Sequence, residues 1–220
     1  VSSAVSGNVS VNPSGRSEPE LLLDFSADTA AILAELGEEP IDEAPDDSPD
    51  EPPDDGPDDA PVYAPVYWPD EQFVRHWVQM ALNAPESVDA VMTNANGSGG
   101  ALAHCSVSVH LTDAVTSQQL NRDLRGVDRP TNVLSFAAGL PVLDSTLVLG
   151  ELVLCPKVVQ KEALEQSKSE SDHWAHLLVH GTLHLLGFDH VDDAGAERME
   201  TLETRLLSQS GISDPYEGTV

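Results

Sequence analysis

His180-Gly-Thr-Leu-His184-Leu-Leu-Gly187-Phe-Asp-His190 sets three histidines at a spacing suited to a single metal. Four residues advance an α-helix by slightly more than one turn, so His180 and His184 share one helix face. Gly187 can take the left-handed conformation that stops the helix and reverses the chain, returning His190 as a third ligand. Three neutral imidazoles suit one Zn²⁺ and leave a fourth coordination position open, the layout of a catalytic zinc site. The spacing therefore predicts a metal site at a helix-turn, held by His180, His184 and His190.

The same spacing, H-x-x-x-H-x-x-G-x-x-H, is that of metzincin proteases, with one change. A metzincin carries Glu directly after the first His, as general base on the zinc-bound water. Here that position is Gly181, so the ligands are kept and the peptidase's base is missing.

Composition narrows the alternatives. The 220 residues carry 38 Asp and Glu against 10 Lys and Arg, a net charge of −28. Residues 1–60 hold 17 of those acids against the single Arg16. A polyanion cannot be bound by a broad basic surface on such a chain and must meet a local cluster, for which Arg122, Arg125 and Arg129 are available. No apolar run approaches the ~20 residues that span a bilayer, and no secretory signal pattern opens the sequence. Cys105 and Cys155 form no C-x-x-C pair and read as small buried hydrophobes of a reducing cytoplasm.

Residues 38–69 repeat an acidic pair and a proline every four residues. Proline at that period forbids a helix and the repelling carboxylates expand the chain, so the segment is expected to be disordered, as are residues 1–18. Leu21–Phe25 between them reads as a strand or as the start of a short helix running to Leu36.

From Asp70 the pattern becomes globular. Asp70 is expected to cap a helix bearing Phe73, Val74, Trp77, Met80 and Ala81. Val88–Thr93 is a weak strand candidate. His104–Leu111 alternates apolar and polar residues, the signature of a half-buried strand. Thr112 or Asp113 caps a helix ended by Arg125-Gly126. Val133–Phe136 and Val148–Leu154 read as strands, and Pro156 opens a helix reaching about Lys168. Ser171 or Asp172 is expected to cap the metal helix, which runs to Leu186. A last helix, Ala194–Ser208, is expected to bury Met199, Leu202, Leu206 and Leu207. Strands interleaved with helices give a layered α/β (α+β) domain.

Three blocks in order resemble the YbeY family of bacterial endoribonucleases. They are Leu124-Arg125-Gly126-Val127-Asp128-Arg129-Pro130-Thr131-Asn132-Val133-Leu134-Ser135-Phe136, Leu149-Gly150-Glu151-Leu152-Val153-Leu154-Cys155, and His173-Trp174-Ala175-His176 leading into the three-His motif, with Asp214-Pro215-Tyr216 as a matching close. The resemblance implies a single small domain, a mixed four-stranded sheet packed by about five helices. It implies one zinc ion on His180, His184 and His190, and an arginine at the mouth of the site, matched by Arg125. It also implies a single-strand-specific endoribonuclease of ribosomal RNA maturation (the 16S rRNA 3′ end) and ribosome quality control. Ribosomal RNA, the ribosome, and ribosomal proteins or GTPase assembly factors are then the expected partners, in the cytoplasm and away from membranes. The family's first strand falls best on Leu21–Phe25, which makes residues of about 28–69 an insertion into a domain spanning 20–220.

Arg125 and His180 are thus the catalytic candidates, the first as a phosphate clamp. The alternative for Arg125 is a helix C-terminal cap, where cations are favoured. Weaker candidates are Arg129, Thr131, Asn132, His176, Asp189 and Glu151. A non-catalytic ribosome-assembly factor with structural zinc and a metallopeptidase are the competing functions, the latter opposed by Gly181.

Overall fold

The computed structural model describes residues 20–27, 67, 69–87, 89, 104–139, 142–143 and 145–217. The acid-proline repeat up to residue 66, the arm at 1–18 and nearly all of the Val88–Thr93 candidate lie outside them.

The sheet follows from period-2 burial. In strand β2 (His104–Leu111), Cys105, Val107, Val109 and Leu111 are buried and the intervening residues only half so. Strand β1 (Glu20–Ala27) pairs parallel with β2, so the Leu21–Phe25 run is a strand and not a helix. Strand β3 (Val133–Ala137), the two-residue β4 (Val142–Leu143) and β5 (Thr146–Leu154) complete the sheet, with β5 parallel to β2 and antiparallel to β3. The path is β1-β2-β5-β3, a mixed four-stranded sheet to which β4 adds a short pairing on β5. A bulge in β5 opposite Ser106 and Val107 shifts the register, and Gly150 sits there at φ 136°. A Cβ at Gly150 would collide with the Phe136 carbonyl oxygen, so this close approach of β3 requires glycine.

Five helices of ten or more residues are described. Helix α1 (Glu71–Leu82) is capped by Asp70, whose carboxylate accepts from Phe73 N, and it buries Val74, Trp77, Val78, Ala81 and Leu82. Helix α2 (Ala114–Arg125) is capped by Asp113 and stopped by Gly126 at φ 73°. Helix α3 (Pro156–Glu165) ends three residues before the expected Lys168, where Ser167 turns left-handed at φ 55°. Helix α4 (Glu170–Leu185) starts earlier than the sequence suggested. Ser169, rather than Ser171 or Asp172, is its cap, accepting from Asp172 N, and it leaves Glu170 and Asp172 in the first turn, where the helix dipole favours them. Helix α5 (Asp193–Ser208) buries Met199, Leu202, Leu206 and Leu207 as expected.

Helix α4 lies across the core, against α1, α5 and the β3–β5 edge. Trp174, Leu178 and Leu185 point into that core, and the opposite side of the helix carries the histidines. Cys105 and Cys155 are buried, and burial pushes the Cys105 thiol up to about 11, an inert group. No helix among the described residues is long and apolar enough to cross a membrane.

Gly181 is pressed onto the sheet. A Cβ there would stand 2.9 Å from Leu152 Cδ2 and 3.3 Å from Ser135 Oγ. A side chain at the position that holds the general base in a metzincin therefore has to displace the buried Leu152 in this fold. Gly181→Glu combines overpacking with a buried charge, and is expected to cost more than about 3 kcal/mol of stability. A urea unfolding series on the purified variant checks this. A stable variant would show that α4 can lift from the sheet.

Candidate metal centre

Helix α4 ends where Leu186 caps it and Gly187 turns at φ 91°, so the chain reverses over the helix terminus. That turn brings the ligand atoms of His180, His184 and His190 within 4.8 Å of one another. The His180 and His184 rings are half-buried and His190 is exposed. The His190 ring stacks on His180 at 5.6 Å and meets His184 edge-on at 4.9 Å.

Hydrogen bonds on the far side of the rings assign their protons. His180 Nδ1 lies 2.9 Å from Glu203 Oε1. Glu203 is fully buried on α5; burial raises its pKa, but bonds from His176 and His180 outweigh this and hold it at about 2. An ionised carboxylate only accepts, so His180 Nδ1 carries the proton. His184 Nδ1 lies 3.0 Å from the Phe188 carbonyl oxygen, which also only accepts. Burial first, and His180 second, lower the His184 pKa, which favours the neutral ring. In the neutral form that metal ligation requires, both Nε2 atoms carry lone pairs, and they face each other at 3.1 Å. That separation suits a hydrogen bond when one ring carries the shared proton, and a shared cation when neither does. Two opposed lone pairs call for a cation between them, and tetrahedral ligands at ~2.0–2.1 Å from zinc stand about 3.3 Å apart. The donor set thus fits a metal ion.

Glu203 was not among the residues singled out from sequence. It joins His180 to His176, whose Nε2 is 3.0 Å from Glu203 Oε2, and the Tyr216 hydroxyl donates to that same oxygen. Burial, followed by Glu203, raises the Tyr216 pKa, so the phenol stays protonated. A carboxylate behind a ligand imidazole fixes its orientation and raises its basicity. Glu203→Gln is expected to weaken zinc binding 10–100-fold in a chelator competition titration. An unchanged affinity would reduce Glu203 to a packing role.

A cavity of about 620 Å³ opens beside the three imidazoles, and Arg125, Ser135 and Asn121 line it with them. The Arg125 side chain is exposed at the last turn of α2, and its Nη2 donates to the Ser135 carbonyl oxygen at 3.3 Å. A planar guanidinium with further N–H groups open to the cavity suits a phosphate. The weaker candidates separate. Thr131 and Asn132 hold the α2–β3 loop, Thr131 N donating to Ser117 Oγ, Asn132 Oδ1 accepting from Val133 N and Asn132 Nδ2 donating to Glu162. Arg129 is exposed outside the cavity, its carbonyl oxygen held by Asn121. Asp189 lines the cavity, but its Oδ1 accepts from His190 N and caps the turn. Glu151 is exposed on β5 opposite Phe136 and outside this cavity. His176 belongs to the Glu203 network described above.

Residues 72–211 match a family model described as endoribonuclease YbeY. Among curated proteins, the chain is 46% identical over 152 residues to an endoribonuclease YbeY of Halorhodospira halophila, covering 68% of this chain and 88% of that one. It is 47% identical over 150 residues to one of Alkalilimnicola ehrlichii (67% and 82% covered) and 43% identical over 149 to one of Cellvibrio japonicus (68% and 76% covered). The matched part begins at α1, after the acid-proline repeat.

Proposed function

Because this chain belongs to the YbeY family of endoribonucleases, we propose that it is a zinc-dependent nuclease cutting single-stranded segments of ribosomal RNA, with the metal on His180, His184 and His190 and the scissile phosphate on Arg125. The observation that supports this most is the pair of opposed Nε2 lone pairs beside a cavity that also holds an arginine. When bound, zinc polarises a phosphoryl oxygen and brings the pKa of water near 7.

The chain's own residues do the rest. Arg125 binds non-bridging phosphate oxygens through its fork and stays charged throughout the working pH range. The Ser135 carbonyl oxygen holds that guanidinium at the cavity wall. Glu203 keeps His180 in the tautomer that presents Nε2 to the cavity, and the Phe188 carbonyl does the same for His184. Gly181 leaves the metzincin base position empty, so the site lacks the peptidase's proton acceptor.

With a net charge of −28, the chain holds RNA by few contacts, around Arg122, Arg125 and Arg129. Docking on the ribosome, through its basic proteins or a GTPase assembly factor, then supplies affinity and selects the cut near the 16S rRNA 3′ end. The cytoplasm is the compartment of that reaction. Residues of about 28–69 form an insertion in this reading, since β1 is hydrogen-bonded into the sheet ahead of them and α1, capped by Asp70, follows them. Zinc-loaded protein is expected to cut a labelled single strand internally, spare the matching duplex and leave casein intact. Casein digestion without RNA cleavage would overturn the reading.

A further inference from the structure

His180 and Val133 also border a second cavity of about 590 Å³, so the two cavities adjoin across the His180 ring. Its wall includes Glu162, His173, Lys168 and Tyr216. Glu162, on α3, is its most telling group. Asn132 Nδ2 donates to Glu162 Oε2 at 2.8 Å, and His173 Nε2 lies 2.9 Å from the same oxygen. Two partners on one oxygen fix the carboxylate's orientation, while no donor among the described residues reaches Oε1. The side chain remains 27% exposed on the cavity it lines, and Oε1 is its carboxylate oxygen without a described donor. Burial raises the Glu162 pKa, but the bonds to His173 and Asn132 outweigh it and keep the group ionised near neutrality.

The charge of this wall says what it takes. Glu165 and Glu217 add to Glu162 against the single Lys168, whose Nζ is engaged by Gln166 Oε1 and the Pro215 carbonyl oxygen. Such a wall repels phosphate and attracts a hydrogen-bond donor, and Tyr216, Val133 and Leu177 offer apolar surface beside it. The geometry points to a nucleobase subsite: the base flanking the scissile phosphate enters this cavity and gives an amino hydrogen to Glu162 Oε1. A carboxylate accepts in this way from cytosine N4, whereas uracil presents a carbonyl oxygen at that position. The inference rests on the placement of the scissile phosphate beside Arg125.

Oligo(C) and oligo(U) of equal length exchange the 4-amino donor for a carbonyl oxygen, with N3 changing from acceptor to donor beside it, and N4,N4-dimethylcytidine alters the amino group alone. Zinc-loaded full-length protein is expected to bind fluorescein-labelled oligo(C) about tenfold more tightly than oligo(U) by anisotropy. In Glu162→Gln the two donors retain the amide oxygen and leave the NH₂ where Oε1 stood, so the preference reverses towards oligo(U). A Glu162 that only held His173 and Asn132 in place would weaken both ligands equally, which overturns the subsite. Should the variant fail to fold, wild type alone decides: N4,N4-dimethylcytidine lacks the amino hydrogens and is expected to lower affinity to the oligo(U) level, and binding equal to that of cytidine overturns the proposal. Binding is read apart from cleavage. Preference supports the subsite whether or not the free oligomers are cut; cleavage without preference overturns the subsite and leaves the nuclease standing.

Discussion

Replacing His184 by Ala is expected to remove RNA cleavage altogether and to drop bound metal far below one ion per chain. His184 Nε2 is one of the two lone pairs opposed at 3.1 Å, and His190 and His180 alone leave the cavity with two donors. Zinc sites in small domains are worth about 10–16 kcal/mol in all, so one of three protein ligands carries roughly 3–5 kcal/mol, or 10²–10³-fold or more in affinity. The variant also loses the bond from Nδ1 to the Phe188 carbonyl, worth about 1 kcal/mol to the turn after α4. Metal analysis and a thermal melt separate the two effects. A variant that binds zinc as wild type does would remove His184 from the site.

Arg125→Ala is expected to leave metal content and stability near wild type while lowering kcat by 10²–10³-fold. The magnitude is that of losing one preorganised donor to a transition-state oxygen. The side chain is exposed and its one described bond, to the Ser135 carbonyl oxygen, is long at 3.3 Å, so stability is expected to move by no more than about 0.5 kcal/mol. A residue acting only as the C-terminal cap of α2 would show the opposite pattern, a small loss of stability and full cleavage. Arg125→Lys adds a further arm: it keeps the charge without the fork, and is expected to recover only part of the rate.

The sequence announced these two groups for different reasons. The histidines are legible because ligand spacing on a helix is a local property, and a glycine marks the reversal that adds the third ring. The position of Arg125 at the end of its helix is legible because Gly126 is the left-handed stop, but its place at the site was implied only by the family resemblance. Glu203 was missed because its partner His180 is 23 residues away, beyond any local pattern. A trace of it was present: Met199, Glu203 and Leu206 fall on one buried stripe of α5, and an acid on such a stripe needs a buried partner. Helix boundaries failed where capping chemistry competed. Ser169 and Ser171 are both plausible caps, and the structure uses the earlier one. Strand β4 has two residues, too few for any period to register. The second cavity joins residues of the α2–β3 loop, α3, α4 and the C-terminal turn, a juxtaposition that only the folded chain displays.

A metal held by the three histidines is expected to be required for RNA cleavage. The most direct measurement follows a labelled single-stranded RNA through stripping of the full-length protein by chelator and stepwise return of zinc. Internal cleavage that vanishes on stripping and is restored in full at one zinc per chain is the predicted result. Folded protein carrying one zinc on these histidines that leaves both free RNA and the 16S rRNA of intact ribosomal subunits uncut would contradict it.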